Sequence, residues 1–566
     1  MTDAARGVAR LNGFGADEIV VELDTTAPGG ADMAVRATIT KPKRLYLPQF
    51  VGGGTSVDVV TSAVAGTTGG DPACIQALDA DGSGVTMSGG TTLRADECGV
   101  ASNAEVEAPC GTQIITSSLS YNAGGNPLPQ WCDTIKGPDG ETADIKRQPT
   151  SDPLAGMAAL GTAATQMTDT ASLSAPSGAT SSTVPSGPDI HFAYNETFQQ
   201  GTPKQVAQSI GCTANKAGST WTFSCPGGSP VNIGTITMGG GLSLRFNTGG
   251  AQSDVYNFSG NIVSSSESMT FGDGTYNIRG DIISSGSSVT EFGSGVFNVG
   301  GAIRNDGNRM MFGDGTYDVA KGIYTSYGVT EFGAGSFRIG PASNGNAIEL
   351  RSGELFMGDV NVDHGGIFEV TGRIETGGGS CLEVPAAAVH EINGPISVEG
   401  AVTFGAGFYA VDGYMHAVTG GASCRGGTNS ILAEETTFMV SGVGAGPDGY
   451  GCAGKAICFS GGQDNVRFTA PTSGPFADIA LIGPLDPSIS AGAVFEAGAS
   501  GSVVSGAFYF PNGPILFDGG ASASGGSGGC LQLIGTEITL SGGTSVASEC
   551  ESLPQSGGSG QVVILR

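Results

Sequence analysis

From residue 231 onwards apolar and polar side chains alternate in short runs, and the runs return in step. Tyr276 and Ile278, Phe297 and Val299, Tyr317 and Val319, and Phe337 and Ile339 each flank one residue that is free to face solvent. Period two in aromatic and β-branched residues predicts strands with one buried face. Each run follows the same corner phrase: Phe271-Gly-Asp-Gly, Phe292-Gly-Ser-Gly, Phe312-Gly-Asp-Gly, Phe332-Gly-Ala-Gly and, later, Phe404-Gly-Ala-Gly. The first four phenylalanines are 21, 20 and 20 residues apart. A fixed period this short predicts one unit stacked on its own copies, because such a unit cannot bury its apolar face alone.

A second short strand follows in each unit, as at Gly280–Ile283 and Gly301–Ile303, and then a polar corner such as Ser284–Ser288 or Asn305–Asn308. No helical period interrupts this stretch. Two or three short strands in about twenty residues fit one coil of a parallel β-helix. Phe271, Phe292, Phe312, Phe332 and Phe404 would then stack as one ladder, with glycine at the corners because it reaches positive φ without penalty. From Val231 to Cys550 roughly 15 coils at ~4.8 Å each would make a rod on the order of 70 Å long. A β-sandwich is the competing fold, but it gives no reason for one corner to recur every twenty residues.

The expected fold is therefore mainly β, a long parallel β-helix preceded by a small α+β unit. Residues 1–66 would form that unit, with a helix over Thr2–Leu11 and strands over Glu18–Leu23, Met33–Thr40 and Ser56–Ala65, the second ended by Lys41-Pro-Lys-Arg44. Residues 67–150 read as irregular cysteine-containing coils. Residues 151–190 read as a linker rich in Pro, Ser, Thr and Gly, and 191–566 as the solenoid, closed by a strand over Val562–Arg566.

Composition changes the picture in two ways. With 98 glycines and 13% charged residues the chain could be taken for a disordered one, but its apolar residues are too regularly spaced for that. A net charge of −28 with only 24 Lys and Arg, and no basic stripe, argues against nucleic acid or an anionic membrane as partner. The 12 cysteines show no Cys-x-x-Cys and the four histidines are scattered, so zinc spacing is absent and disulfides in an oxidising compartment are expected. Closeness along the chain pairs Cys212 with Cys225, Cys452 with Cys458 and Cys530 with Cys550, and suggests Cys74–Cys98, Cys110–Cys132 and Cys381–Cys424, with the connectivity left open. No apolar run is long enough to span a bilayer.

Chemistry is sparse. Asp273 and Asp314 share a repeat position, but Ser294 and Ala334 replace them in the alternate coils, which favours corner capping over a catalytic pair. Asp363-His364-Gly-Gly lightly resembles a hydrolase loop, while a lone histidine in a glycine turn is commonly surface. No nucleophile elbow or His-Glu-x-x-His occurs. Gly-Asp-Gly at 272–274 and 313–315 is shared with calcium-binding β-rolls, which need a nine-residue period, so no cofactor is expected and Ca2+ is the one ion left open. The Tyr and Phe ladders should face inward as core. Lys41, Lys43, Arg44, Lys146 and Arg147 lie outside the main repeats and read as solvated turns or contacts to an acidic partner. No catalytic or metal-binding residue is named.

Taken in order, several landmarks resemble the TadG-like proteins of the Flp/Tad (tight adherence) pilus system. They are Ala4-Ala5…Val8-Ala9…Asn12-Gly13, strands ending Ser62-Ala-Val-Ala65, Cys74-Ile-Gln-Ala-Leu-Asp79, Cys98-Gly-Val100, Asp152-Pro-Leu-Ala-Gly156, the Phe-Gly-x-Gly-x-Tyr coils, and a tail of Cys530-Leu, Ile538-Thr-Leu540 and Val563-Ile-Leu-Arg566. The resemblance implies a pilin-like first unit and a non-enzymatic structural protein of the cell envelope or surface, acting in pilus assembly or as a minor pilin or tip-like adhesive rod. It implies other pilus or pilus-assembly proteins as partners, with surface glycans as a further class and an extracellular or cell-surface location. Members begin with a membrane helix and an alanine-rich stalk, so contact with a membrane is expected only through a segment missing from this sequence. A secreted β-helix enzyme that degrades polysaccharide, and a free surface adhesin or matrix protein, are the alternatives.

Overall fold

The protein is described by a computed structural model that covers residues 18–24, 33–44, 56–67, 73–123, 132–180, 182–192, 201–239, 241–247, 254–265, 267–418, 423–427, 430–445, 451–460, 466–496, 502–524, 530–548 and 562–565. It divides into two compact units, residues 1–72 with 555–566, and residues 73–554.

In the first unit, strands Ile19–Asp24, Met33–Arg44, Ser56–Thr67 and Val562–Leu565 form one antiparallel sheet in that order. The helix expected over Thr2–Leu11 lies outside the described residues. Two boundaries differ from expectation. Lys41–Arg44 continues the second strand instead of ending it: beyond Ile39 that strand has a neighbour on one side only, where the missing N–H of Pro42 is tolerated. The last strand, expected to close the solenoid, instead pairs with the first unit, Val64 opposite Leu565. It carries none of the corner phrases that set a coil's register, and the outer edge of Ser56–Thr67 was otherwise unpaired.

The second unit is a parallel β-solenoid of about 18 turns. A representative coil has three strands, Val289–Phe292, Gly295–Val299 and Ile303–Asp306, which we call the first, second and third faces. Each strand pairs in parallel with its equivalent in the next coil, Phe271 with Phe292, Phe297 with Tyr317, Ile282 with Ile303. That register excludes a sandwich. At ~4.8 Å per turn the unit is a rod of roughly 85 Å.

The corner glycines are needed for close approach as well as for their backbone angles. A Cβ on Gly295 would lie 1.7 Å from the Gly274 carbonyl oxygen of the coil before, and one on Gly315 would lie 1.9 Å from that of Gly295. Only glycine lets the corners of neighbouring coils approach this closely.

Inside, two ring ladders run along the axis. Phe246, Phe271, Phe292, Phe312 and Phe332 stack at centroid spacings of 5.0, 4.9, 5.0 and 4.7 Å. Tyr256, Tyr276, Phe297, Tyr317 and Phe337 stack at 4.9, 4.8, 5.0 and 5.0 Å. The two ladders meet edge to face, an arrangement worth about 0.5–1.5 kcal/mol per pair beyond area burial. Phe404 holds the same position in its coil but does not join the stack. Met357 follows Phe332 in the register, and Phe404 meets Tyr409 and Phe438 edge-on.

Chain order and coil order differ. Ala73–Ala77 pairs with Leu531–Gly535, Val85–Met87 with Ile538–Leu540, and Thr92–Ser102 with Ser545–Ser548. The cysteine-containing coils are thus the continuation of the main solenoid past its C-terminal coil, not a separate domain. Ile75, Val85 and Leu93, fully buried, carry the core onward over Leu533, Ile538 and Val546. An open solenoid end exposes a full turn of unpaired strand edges, and these earlier coils cover it.

Residues 151–190, expected as a linker, are, where described, a strap that returns along the rod and runs into the strand Ile190–Phe192. Gln76 donates to Thr150 and Ser151, and Tyr509 donates to Asp152 at 2.7 Å. Helix α1 (Ala158–Ala171) then lays Leu160, Ala163 and Met167 against Phe408, Met439, Ile482 and Ile534 on the outside of the second face. Further on Asn393 donates to Ala171 and Leu173, and Gly178, with φ of 55°, sits so close to Val299 that a Cβ would lie 2.3 Å from its oxygen. Asp189 ends the strap by accepting from Thr235 at 2.7 Å. The strap is held to the rod by hydrogen bonds at Asp152, Ala171, Leu173 and Asp189 and by the apolar side of α1, which is why its loop-like composition misleads.

At that far end Ile190–Phe192 begins the solenoid against Ile236–Met238. Helix α2 (Pro203–Ser209), capped by Thr202 and Gln205, and an antiparallel hairpin, Thr213–Ala217 with Thr220–Ser224, close it, with Val206, Ala207 and Ile210 buried. Disulfides join Cys74–Cys98, Cys110–Cys132, Cys212–Cys225, Cys381–Cys424 and Cys452–Cys458. Cys530 is also bridged, and Cys550 lies outside the described residues. Five bridges fit an oxidising compartment. Among the described residues no helix is long and apolar enough to cross a membrane.

Candidate functional site

The corner aspartates bind backbone. Asp273 accepts from the Ser294 N–H and Asp314 from the Ala334 N–H, each at 2.8 Å in the next coil, while Ser294 accepts from Asp314 N–H at 3.2 Å. Asp281 and Asn261 do the same at the following corner. These side chains staple one coil's corner to the next, and that occupies the carboxylates that might otherwise have formed a pair. His364 sits in a short 3-10 turn beside Asp363, with its carbonyl accepting from the Thr316 hydroxyl. No group of three His, Cys, Asp or Glu among the described residues is placed to hold a metal ion. Lys41 stands 4.0 Å from Glu18 and Lys146 2.7 Å from Asp144.

His390 takes a ring position in the second ladder. It is fully buried, stacked 3.8 Å from Tyr409 and edge-on to Phe368. The tyrosines of this ladder donate their hydroxyls to corner carbonyls four residues back, Tyr276 to Gly272, Tyr317 to Gly313 and Tyr409 to Gly405. His390 makes the equivalent bond to Pro385 O at 2.7 Å, which assigns the proton of the neutral ring to Nε2. Burial lowers its pKa to about 4, so the ring is neutral at physiological pH.

A continuous polar column runs along the outside of the second face. In register along the rod stand Asn232, Asn257, Asn277, Asn298, Asp318, Arg338, Glu369 and Glu391. The four amides form a chain, each Nδ2 donating to the Oδ1 of the coil before at 2.8, 3.0 and 2.8 Å. Asp318 interrupts it because a carboxylate cannot donate onward. Its Oδ1 is buried with no hydrogen-bond partner among the described residues. Desolvation raises its pKa, against the pull of Arg338. Arg338 pairs with Glu369 at 3.2 Å, and Glu391, raised by burial and by the charge of Glu369, accepts from Gln166 of α1 at 2.8 Å.

No protein-family model, curated protein or solved structure matches this chain. The site is read on its own geometry. Strap residues Ser174, Pro176 and Gly178 roof Asn298, Asp318, Arg338 and Glu369, leaving a cavity of about 320 Å3. Two carboxylates and a guanidinium are thus stacked in one cleft, with the Asp318 carboxyl raised by desolvation and Glu369 paired with Arg338. Sequence reasoning missed the cluster because its members occupy one repeat position with four different residue types. The signal was there in the column Asn277, Asn298, Asp318, Arg338, each following the aromatic ring of its strand. The same reasoning missed α1, whose apolar spacing at Leu160, Ala163 and Met167 is helical.

Proposed function

We propose that this chain is a non-enzymatic structural rod of the bacterial cell surface, working with tight-adherence pilus machinery in assembly or as an adhesive minor component. The observation that carries this reading is the strap. A solenoid whose own chain is laid back along its length and locked at both ends is a rigid projecting scaffold. Disulfides and a net charge of −28 suit a soluble surface outside the reducing cytosol. The α-helical part of a pilin-like first unit and its docking to other pilus proteins belong to the same proposal. Immunogold labelling on piliated cells and on an isogenic strain without pilus assembly tests it. Label along or at the ends of filaments, lost without pili, is expected. Label on the cell surface in both strains means a free adhesin.

A polysaccharide-cleaving enzyme is the second reading, favoured only by the Asp318–Arg338–Glu369 cleft. Release of reducing ends from acidic polysaccharide, abolished by Asp318→Asn, would establish it and displace the scaffold reading.

A further inference from the structure

The third face of the solenoid carries a second cleft, distinct from the strap-covered one. In register stand Arg304, Tyr324 and Glu349, one per coil. The Arg304 guanidinium lies 4.9 Å from the centre of the Tyr324 ring and that of Arg351 lies 5.5 Å from it. A ring that holds two guanidinium groups preorganises them and removes part of the entropy a flexible side chain loses on binding. With Lys321 and Asn344 these residues line a cavity of about 230 Å3.

The charge in this cleft is unlike that of the chain. Three cations and one carboxylate line it, a second carboxylate, Glu375, adjoins it through Asn346 at 2.9 Å, and Glu349 itself is already engaged. Glu349 accepts from Asn344 at 2.8 Å and from Asn346 at 2.9 Å, with Arg351 at 3.5 Å. Arg304 has its nearest carboxylate, Asp306, at 4.0 Å, and Lys321 has no ion pair among the described residues. Exposed pairs this loose contribute little. Two cations are thus left to face the cleft in a protein of net charge −28.

We infer that this cleft binds the carboxylate of a single acidic sugar at the end of an otherwise neutral glycan. Arg304 and Lys321 take the carboxylate, while the Ser343 hydroxyl at the rim meets the ring hydroxyls. The size of the cavity admits one monosaccharide and not a folded partner. The surrounding negative charge selects against polyanions, whose many charges it repels, and leaves a lone carboxylate as the anion that fits. The inference rests on the surface-rod reading only for where such a glycan is met; the cleft is tested on the purified protein whatever the labelling of cells shows.

The probe is cellobiouronic acid, a disaccharide with one carboxylate, titrated into the full chain and followed by calorimetry or saturation-transfer NMR, beside its methyl ester, cellobiose, sodium sulfate and polygalacturonate. Binding of the acid is expected, at least tenfold weaker for the ester and for cellobiose, and weakened at least tenfold by the double variant R304Q/K321Q. Both substitutions are at exposed side chains, and an unchanged circular dichroism spectrum shows that the variant folds. No saturable binding of the acid at millimolar concentration, ester binding equal to it, or indifference to R304Q/K321Q overturns the inference. So does sulfate or polygalacturonate binding as tightly as the disaccharide, which would make the cleft a general oxyanion site.

Discussion

The second face of the rod is built in two ways. In the coils that contain Gly274–Ile278 and Gly315–Val319, buried and part-exposed residues alternate, and the outward side chains are the amide chain and the charged stack that continues it. In the coils that contain Thr436–Val440, Ile479–Ile482 and Leu531–Gly535 every residue is buried, because α1 covers the outside. One region is held by identical side chains repeating along the axis, the other by a segment from elsewhere in the chain. Repetition can be read from a single sequence. A cover cannot, since it leaves only a loss of alternation.

The largest effect expected from breaking this contrast is in the ring ladder. Phe297 has stacked neighbours on both sides, Tyr276 and Tyr317, and edge contacts to Phe292 and Phe312. Phe297→Ala should cost about 3–5 kcal/mol, and Phe404→Ala, with edge contacts alone, should fall at or below the low end of that range. Denaturant unfolding combined with amide exchange of the flanking strands measures both. Equal losses would mean that stacking continuity adds nothing to burial.

The next effect is set by pH at the junction of the two regions. His390 has a folded pKa of about 4 against an ordinary 6.5, so between these values the unfolded chain binds a proton that the folded one does not. The stability this neutral ring permits is complete above pH 6.5 and is lost as pH falls to 4, in all roughly 3 kcal/mol. His390→Phe keeps the ring but leaves Pro385 O without its donor. It should lower stability at pH 7 by about 1 kcal/mol and flatten the acid limb. An acid limb unchanged in this variant would assign the loss to carboxylates instead.

In the covered region, Leu160→Ala removes a side chain wedged between α1 and the second face, and should loosen the strap by about 2 kcal/mol. Limited proteolysis reads this directly: cleavage between residues 172 and 189 should accelerate while the ring-ladder coils keep their protection. If those coils lose protection too, the strap is part of the solenoid's cooperative unit and not a cover on it.

Legibility follows the same division. The parallel coil, its period, the inward rings and the close-lying cysteine pairs could be read from Phe271 to Ile339 and from cysteine spacing, since these are local or strictly periodic. The stacking of Ala73–Ala77 on Leu531–Gly535 could not be, because nothing in either segment names a partner more than 450 residues away. The strap was hidden by composition: Ser, Thr, Pro and Gly describe an extended segment equally well whether it is solvated or pressed against a sheet. The clefts were hidden by variety, as Asp318, Arg338 and Glu369, or Arg304, Tyr324 and Glu349, converge only when coils are stacked in register.

The smallest effect bears most closely on what the uncovered region is for. Asn277 donates to Asn257 and accepts from Asn298, so Asn277→Ala breaks two bonds and leaves the buried Asn257 amide oxygen and the half-buried Asn298 amide nitrogen without these partners. A loss of about 1 kcal/mol is expected, since water can reach Asn298 and replaces part of its bond. Amide exchange at Phe258, Ile278 and Val299 reports where the loss falls. If it spreads to all three strands, the amide chain couples neighbouring coils in the way the strap couples distant ones. If exchange does not change, the amides are solvated ornament on a core that the rings hold alone, and the outer side of this face is free to vary for binding.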